Sequence, residues 1–259
     1  MAKKRRRWHH SFLEKLAAPA TTVAILVFWQ VAVPLSGLSE FVLPTPLSIG
    51  KRLVSDFPLL MANASYTAFE VVAGFALAVG IGIPLALAVF YWRPFERAIF
   101  PMLVALQTIP KVALAPLLVV YLGYGWAPKI SLSFLISFFP VVISTVVGLQ
   151  SLDKGLVNLV RSMGANEWQT FIKVRLPAAL PSVFGGFKVA ISLAVIGAII
   201  GEYVAAERGL GYLQLQANAR FDTALNFATV VVISILGVLL YFIVAFLESK
   251  TVYHREAAK

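Results

Sequence analysis

No cysteine occurs in this chain, which excludes disulfide staples, thiol redox chemistry and Cys-ligated metal. A Gly-x-x-x-x-Gly-Lys-[Ser/Thr] phosphate loop is also missing, and Gly209-Leu210-Gly211 lacks the third glycine and the strand-to-helix setting of a dinucleotide site. The hydrophobic segments show neither an internal repeat nor coupling-ion residues of the kind secondary transporters use. Charge is scarce. Only 13% of the 259 residues are charged against 59% apolar, with a mean hydropathy of +0.85, which excludes a soluble domain.

What remains is long apolar runs. A hydrocarbon core about 30 Å thick is crossed by roughly 20 helical residues, and six stretches qualify, at about 17–38, 66–92, 98–122, 130–149, 182–205 and 225–247. The expected fold is an all-α polytopic membrane protein with six transmembrane helices. A basic segment, 1–16, precedes a single membrane domain, 17–248, and a short tail, 249–259, follows it.

Lys and Arg set the orientation. With the N-terminus inside, fifteen of the 22 fall in inside segments, among them Lys3, Lys4, Arg5, Arg6 and Arg7 at the start and Lys154, Arg161, Lys173 and Arg175 in the central loop. Only Lys51, Arg52, Lys129, Arg208 and Arg220 fall outside, while Lys111 and Lys188 lie within spans. That bias places both termini in the cytoplasm. It also accounts for the net charge of +10 without nucleic acid, since the basic start beside Trp8 suits anionic headgroups. A span-length first run followed by five more reads as an uncleaved helix rather than a signal peptide.

Inside the membrane, Gly186, Ala190, Ala194 and Ala198 put small residues at every fourth position of the fifth span, joined by Gly197 and Gly201. Such stripes let helices approach closely, so this span belongs mid-bundle or at a subunit contact. Pro110 and Pro116 interrupt the third span beside Gln107 and Lys111, and broken helices persist in lipid only where protein or a cavity covers them. A mid-membrane lysine is a pathway candidate by default. Lys188, near the inner end of the fifth span, either snorkels or faces the pathway. Glu202, at its outer end, either bonds Arg208 or Lys129 or forms part of an outer gate; Glu70 carries the same two readings.

The loop from 150 to 181 is far longer than two helices need. Leu156, Leu159, Val160 and Met163 share one face of a short helix, Gly164 permits a bend, and Asn166 with Gln169 forms a capping-box pattern opening a second. Trp168, Phe171 and Ile172 share its face, and Pro177 and Pro181 are expected to break the chain before the fifth span. Two interfacial helices on the bilayer would have the same pattern, but the specific bend and the loop length favour docking to a partner.

The run Arg161-Ser162-Met163-Gly164-Ala165 through Val174-Arg175-Leu176-Pro177 resembles the cytoplasmic loop signature of ABC-importer permease subunits: Glu-Ala-Ala, three residues, Gly, nine residues, Ile-x-Leu-Pro. Asn158-Leu159-Val160 stands in place of Glu-Ala-Ala, and Val174 in place of Ile. Leu43-Pro44-Thr45-Pro46, the Gln107-to-Leu117 run, and Glu202 followed by Gly209-Leu210-Gly211-Tyr212 are similar to the nitrate/sulfonate/taurine permeases, although Glu70 stands where many relatives carry a basic residue. The resemblance implies a type I ABC-importer permease fold in a bacterial inner membrane. Its expected partners are a second permease copy, two cytoplasmic ATP-binding subunits holding ATP and Mg, and an extracytoplasmic solute-binding protein. It assigns Arg161, Gly164, Ala165, Trp168, Phe171, Val174, Leu176 and Pro177, within a 153–176 coupling hairpin, to the ATPase. Gln107, Pro110, Lys111, Pro116, Lys188 and Glu202 fall to the pathway or gate, and Arg208, Gly209, Gly211 and Arg220 to binding-protein docking. No catalytic residue, cofactor or metal is expected in the chain itself. The implied cargo is a small anionic or organic solute of sulfonate, taurine or nitrate type, or else a vitamin precursor, flavin or aromatic carboxylate.

Overall fold

The computed structural model describes residues 20–37 and 39–252, except the side chain of Lys154. The readings of the basic start, of Trp8 and of the end of the tail lie outside these residues. The described chain is helical, with no strand. In order it forms α1 (Ala20–Leu35), α2 (Pro46–Ser55), α3 (Phe57–Tyr91), α4 (Arg93–Gln107), a 3-10 turn (Lys111–Leu114), α5 (Ala115–Leu122) and α6 (Trp126–Gln150). Then come α7 (Lys154–Ser162), α8 (Glu167–Thr170), a π-helical turn (Phe171–Arg175), α9 (Leu176–Ala205), α10 (Leu210–Ala219) and α11 (Thr223–Thr251).

Among the described residues, four helices are long and apolar enough to cross a membrane: α3, α6, the continuous 167–205 run and α11. A fifth crossing is made if α4 and the Lys111–Leu122 segment, bent by 86°, count as one broken span. The first expected span is represented by α1, which is shorter. Several boundaries differ from expectation, two of them most. α3 starts at Phe57 rather than near 66. Pro177 and Pro181 do not break the chain, because a π turn precedes them: the Leu176 N–H bonds the Phe171 carbonyl five residues back. The wider turn takes up the lost Pro177 donor and its crowding of the Lys173 carbonyl.

The described residues form two compact units, one within 1–60 and 214–230, the other within 61–213 and 231–259. The larger is organised around α9 and α6. A Cβ on Gly197 would lie 2.6 Å from the Ser133 Cα, and one on Gly201 would lie 2.9 Å from the Lys129 Cα. Ala190, Ala194 and Ala198 are fully buried, so the small-residue stripe is the seam against α6. Ser133 donates from this seam to the Ala194 carbonyl at 3.0 Å. α3 packs on the same helix through Gly82, whose added Cβ would meet Val141 at 2.9 Å.

In the smaller unit the Trp29 and Phe227 rings meet at 5.9 Å, and polar links join the same segments. Gln30 accepts from the Leu47 N–H at 2.9 Å, and Thr223 donates to the Phe41 carbonyl at 2.5 Å. Arg52 pairs with both Asp56 and Asp222.

Candidate functional site

The bend and the caps of the central hairpin form where the sequence places them, but Val157 rather than the expected Leu156–Leu159–Val160–Met163 face is buried, and the second helix gives way to a π turn after Thr170. Asp153 caps α7 by accepting from the Gly155 N–H at 2.5 Å. Gly164 takes φ +87°, its N–H bonding the Arg161 carbonyl at 2.9 Å and the Ala165 N–H bonding the Val160 carbonyl at 3.3 Å, which is a Schellman closure. Both halves of the Asn166–Gln169 capping box form, at 2.8 and 3.0 Å. Arg161 and Glu167 then bridge the bend at 2.5 Å.

The hairpin's aromatic pair divides its labour. Trp168 is 71% exposed and, with Met163 at 78% and Leu159, leaves an apolar surface uncovered. Phe171 is 8% exposed and sits with Leu149, Ala179 and Val183, so it anchors the hairpin to α6 and α9. Arg175 lies 5.1 Å over the Phe90 ring. Because 167–205 is one helical run, the exposed hairpin and the buried seam are ends of the same rod.

At the break after α4, Pro110 ends the regular helix while Pro116 sits in the first turn of α5, where a missing N–H costs nothing. The Lys111 ammonium donates to the Gln107 carbonyl at 3.1 Å and lies 4.7 Å from the Phe139 ring centre. It therefore neutralises the negative end of α4. Lys188 bonds Glu248 of α11 at 2.8 Å instead of reaching freely toward the surface.

The other acids form a buried knot. Glu70 and Lys129, 0% and 6% exposed, pair at 2.5 Å between α3 and α6. Glu202, 1% exposed, bonds neither Arg208 nor Lys129; it accepts from the Thr67 hydroxyl at 2.6 Å and from the Gly211 N–H at 2.5 Å. Thr67 accepts from the Leu210 N–H at 2.9 Å and Asn63 from the Gly209 N–H at 2.8 Å, so side chains from α3 and α9 satisfy the first turn of α10. A carboxylate there also meets the positive end of the helix dipole. Gly209, at φ +119°, and Gly211 are buried, and side chains at either would strike the Glu202 carboxyl. Both glycines are thus enclosed by the protein rather than exposed on its surface. Arg208 is exposed and donates to the Tyr66 hydroxyl at 2.5 Å.

Sequence reading missed Asn63, Thr67 and Glu248. The signal for the first two was present: Asn63, Thr67 and Glu70 recur at i, i+4 and i+7 on one face of an apolar helix.

At the end of α10 the Phe221 N–H bonds the Asn218 carbonyl at 3.0 Å and the Asp222 N–H bonds the Ala217 carbonyl at 2.9 Å. This is the closure seen at Gly164, but the left-handed position is held by Phe221 at φ +56°, a conformation costing a non-glycine residue about 1–2 kcal/mol. Phe221 is 74% exposed. Arg220 is exposed beside it.

Comparison with known proteins identifies this set of apolar helices as a membrane permease subunit. Residues 78–253 match the family described as binding-protein-dependent transport system inner membrane component. The riboflavin transport system permease protein RibX of Chloroflexus aurantiacus is 37% identical over 90% of this chain and 88% of its own length. The putative aliphatic sulfonates transport permease protein SsuC of Bacillus subtilis is 30% identical over 98% and 92%. Among solved structures, an inward-facing MetNI methionine ABC transporter chain superposes with a TM-score of 0.66 at 21% identity, over 75% of this chain and 97% of that one, which shows the shared fold. The chain belongs to the binding-protein-dependent transport family and is an ABC-importer permease subunit.

Proposed function

We propose that this chain, with a second copy, forms the translocation path of an ATP-driven importer in a bacterial inner membrane, crossing six times with both termini cytoplasmic. ATP and Mg bind to two cytoplasmic partner subunits, and the permease itself performs no catalysis. The observation that carries this reading is the rod from 167 to 205, which joins the exposed Leu159–Met163–Trp168 surface to the buried α6–α9 seam. Displacing the hairpin moves the seam, because close-packed interfaces transmit shifts rather than absorb them. Nucleotide drives the cycle only through differential binding to the inward-open and outward-open states.

Gln107, Pro110, Lys111 and Pro116 line the path at the broken helix, with Lys188 and Glu202 holding its inner and outer ends. The cargo is a small anionic or organic solute of sulfonate, taurine or nitrate type, for which Lys111 supplies the positive charge. A flavin or vitamin precursor is the second reading, favoured by the 37% identity to a riboflavin permease against 30% to a sulfonate permease.

The test is uptake by vesicles holding the complete complex, with taurine and riboflavin as competing labelled solutes. ATP-dependent uptake of taurine, with a half-saturating concentration raised about tenfold by Lys111→Met and retained by Lys111→Arg, supports the first reading. Riboflavin uptake indifferent to Lys111→Met selects the second. Uptake that ignores ATP overturns both.

A further inference from the structure

Three ionisable side chains meet inside the larger unit with almost no access to solvent: Glu70 on α3, Lys129 on α6 and Glu202 on α9. Helix packing brings them together. Gly201 lets the α9 backbone lie against Lys129, while Thr67, one turn before Glu70 on the same face of α3, donates to the Glu202 carboxyl. Among the described residues, Lys129 is the only cation paired with either acid. Arg208, in the α9–α10 connection, is exposed and turned onto the Tyr66 hydroxyl. The other ionisable residues nearby on these elements, Tyr66, Tyr203 and Tyr212, are phenols that supply no positive charge, and Glu207 is exposed. Two carboxyls therefore share one ammonium. Oε2 of Glu70 is fully enclosed and meets no N–H, ammonium or hydroxyl donor among the described residues. Within hydrogen-bond reach of the Glu70 carboxyl lies the Glu202 carboxyl. Two ionised carboxylates are acceptors only and repel each other, whereas a hydrogen on one of them makes the contact an O–H···O bond and leaves one negative charge opposite one positive.

We propose that Glu70 and Glu202 form a binding site for one proton, shared between their carboxyls, with Lys129 neutralising the single charge that remains. The proton belongs to the pair rather than to either residue. It acts as a structural ligand, tying α3 to α9 at the place where Glu202 and Thr67 carry the first turn of α10. This goes beyond the importer reading and does not depend on it. A metal ion suits the site poorly: it would need more oxygen ligands than two carboxyls and a hydroxyl, and it would meet the Lys129 ammonium. Loss of the proton would set two negative charges against one positive in an enclosed space, and an uncompensated buried charge is costly. The folded site holds a proton that the solvated carboxyls of the unfolded chain release at neutral pH. Stability is therefore expected to fall as pH rises, and the α3–α9–α10 junction to open first.

The full chain in nanodiscs tests this by infrared difference spectroscopy and melting curves, with Glu70→Gln and Glu202→Gln as variants whose amides can donate the bond that the proton makes. At about pH 7 the parent is expected to show one carboxylic-acid carbonyl band that each single variant abolishes completely, because both remove the same proton. Two bands, one lost in each variant, would mean two separately protonated acids and overturn the sharing. No band would mean that both carboxyls are ionised, which overturns the site. The parent band should also shift in D2O and fade as pH is raised, a readout that needs no variant to fold. Over the same rise in pH, the parent's unfolding equilibrium should shift relative to either variant's by about tenfold per pH unit. Parallel parent and variant curves, or a melting temperature that follows sodium concentration instead of pH, overturn the proposal.

Discussion

Lys129 on α6 holds its ammonium 2.5 Å from the Glu70 carboxylate on α3, with both side chains withdrawn from solvent. A pair buried in this way is costly to halve. Lys129→Met, which leaves Glu70 charged and alone, is expected to destabilise the protein by about 3–5 kcal/mol, and the double variant Glu70→Leu/Lys129→Met to recover most of that. Thermal unfolding of the four proteins in one detergent measures the coupling, and an additive cycle would show the pair to be incidental.

Gly209 meets two demands at once, a left-handed backbone and room for the Glu202 carboxyl. Gly209→Ala should cost about 1–3 kcal/mol from the backbone and more from the collision. In a Glu202→Ala background the collision disappears and only the backbone part should persist. Equal costs in both backgrounds, read from melting temperatures, would remove Glu202 from the explanation.

The two hairpin aromatics should separate cleanly. Trp168→Ala is expected to leave stability nearly unchanged and to weaken ATPase-subunit binding by about 2 kcal/mol, roughly 30-fold. Phe171→Ala should cost about 3–5 kcal/mol of stability through the hole it leaves beside Leu149 and Val183. Titrating the ATPase subunit against nanodiscs, alongside melting curves, distinguishes the two. Reversed phenotypes would mean that Trp168, not Phe171, is the anchor.

Pro177→Ala restores the N–H that an ordinary α-turn needs. Relaxation of the Phe171–Arg175 π turn would rotate the hairpin relative to α9 by about 100°, one residue of helix. ATP-dependent uptake should fall at least tenfold while the complex still assembles. Normal uptake would show that the π turn does not set the hairpin's direction.

Much of this was legible along the chain because it depends on neighbours in sequence. The Gly164 bend, the Asn166–Gln169 capping box and the break at Pro110 are local backbone events, and each formed where its residues stand. The small-residue stripe of α9 likewise indicated a close helix contact, although it could not name α6 as the partner. Pro177 misled because proline reads as a breaker, whereas the helix continues through it by way of a π turn whose first residue, Phe171, is buried against Leu149, Ala179 and Val183.

The amino-acid order alone thus determined a polytopic helical membrane protein with a structured hairpin and one broken span, since apolar run length, proline and glycine act within a turn or two. Only tertiary structure decided the pairings: Lys129 with Glu70, Glu202 with Thr67 and the start of α10, Lys188 with Glu248. Those choices are made by which helix faces meet. A buried charge takes the partner that packing brings within about 3 Å, whatever its distance along the chain.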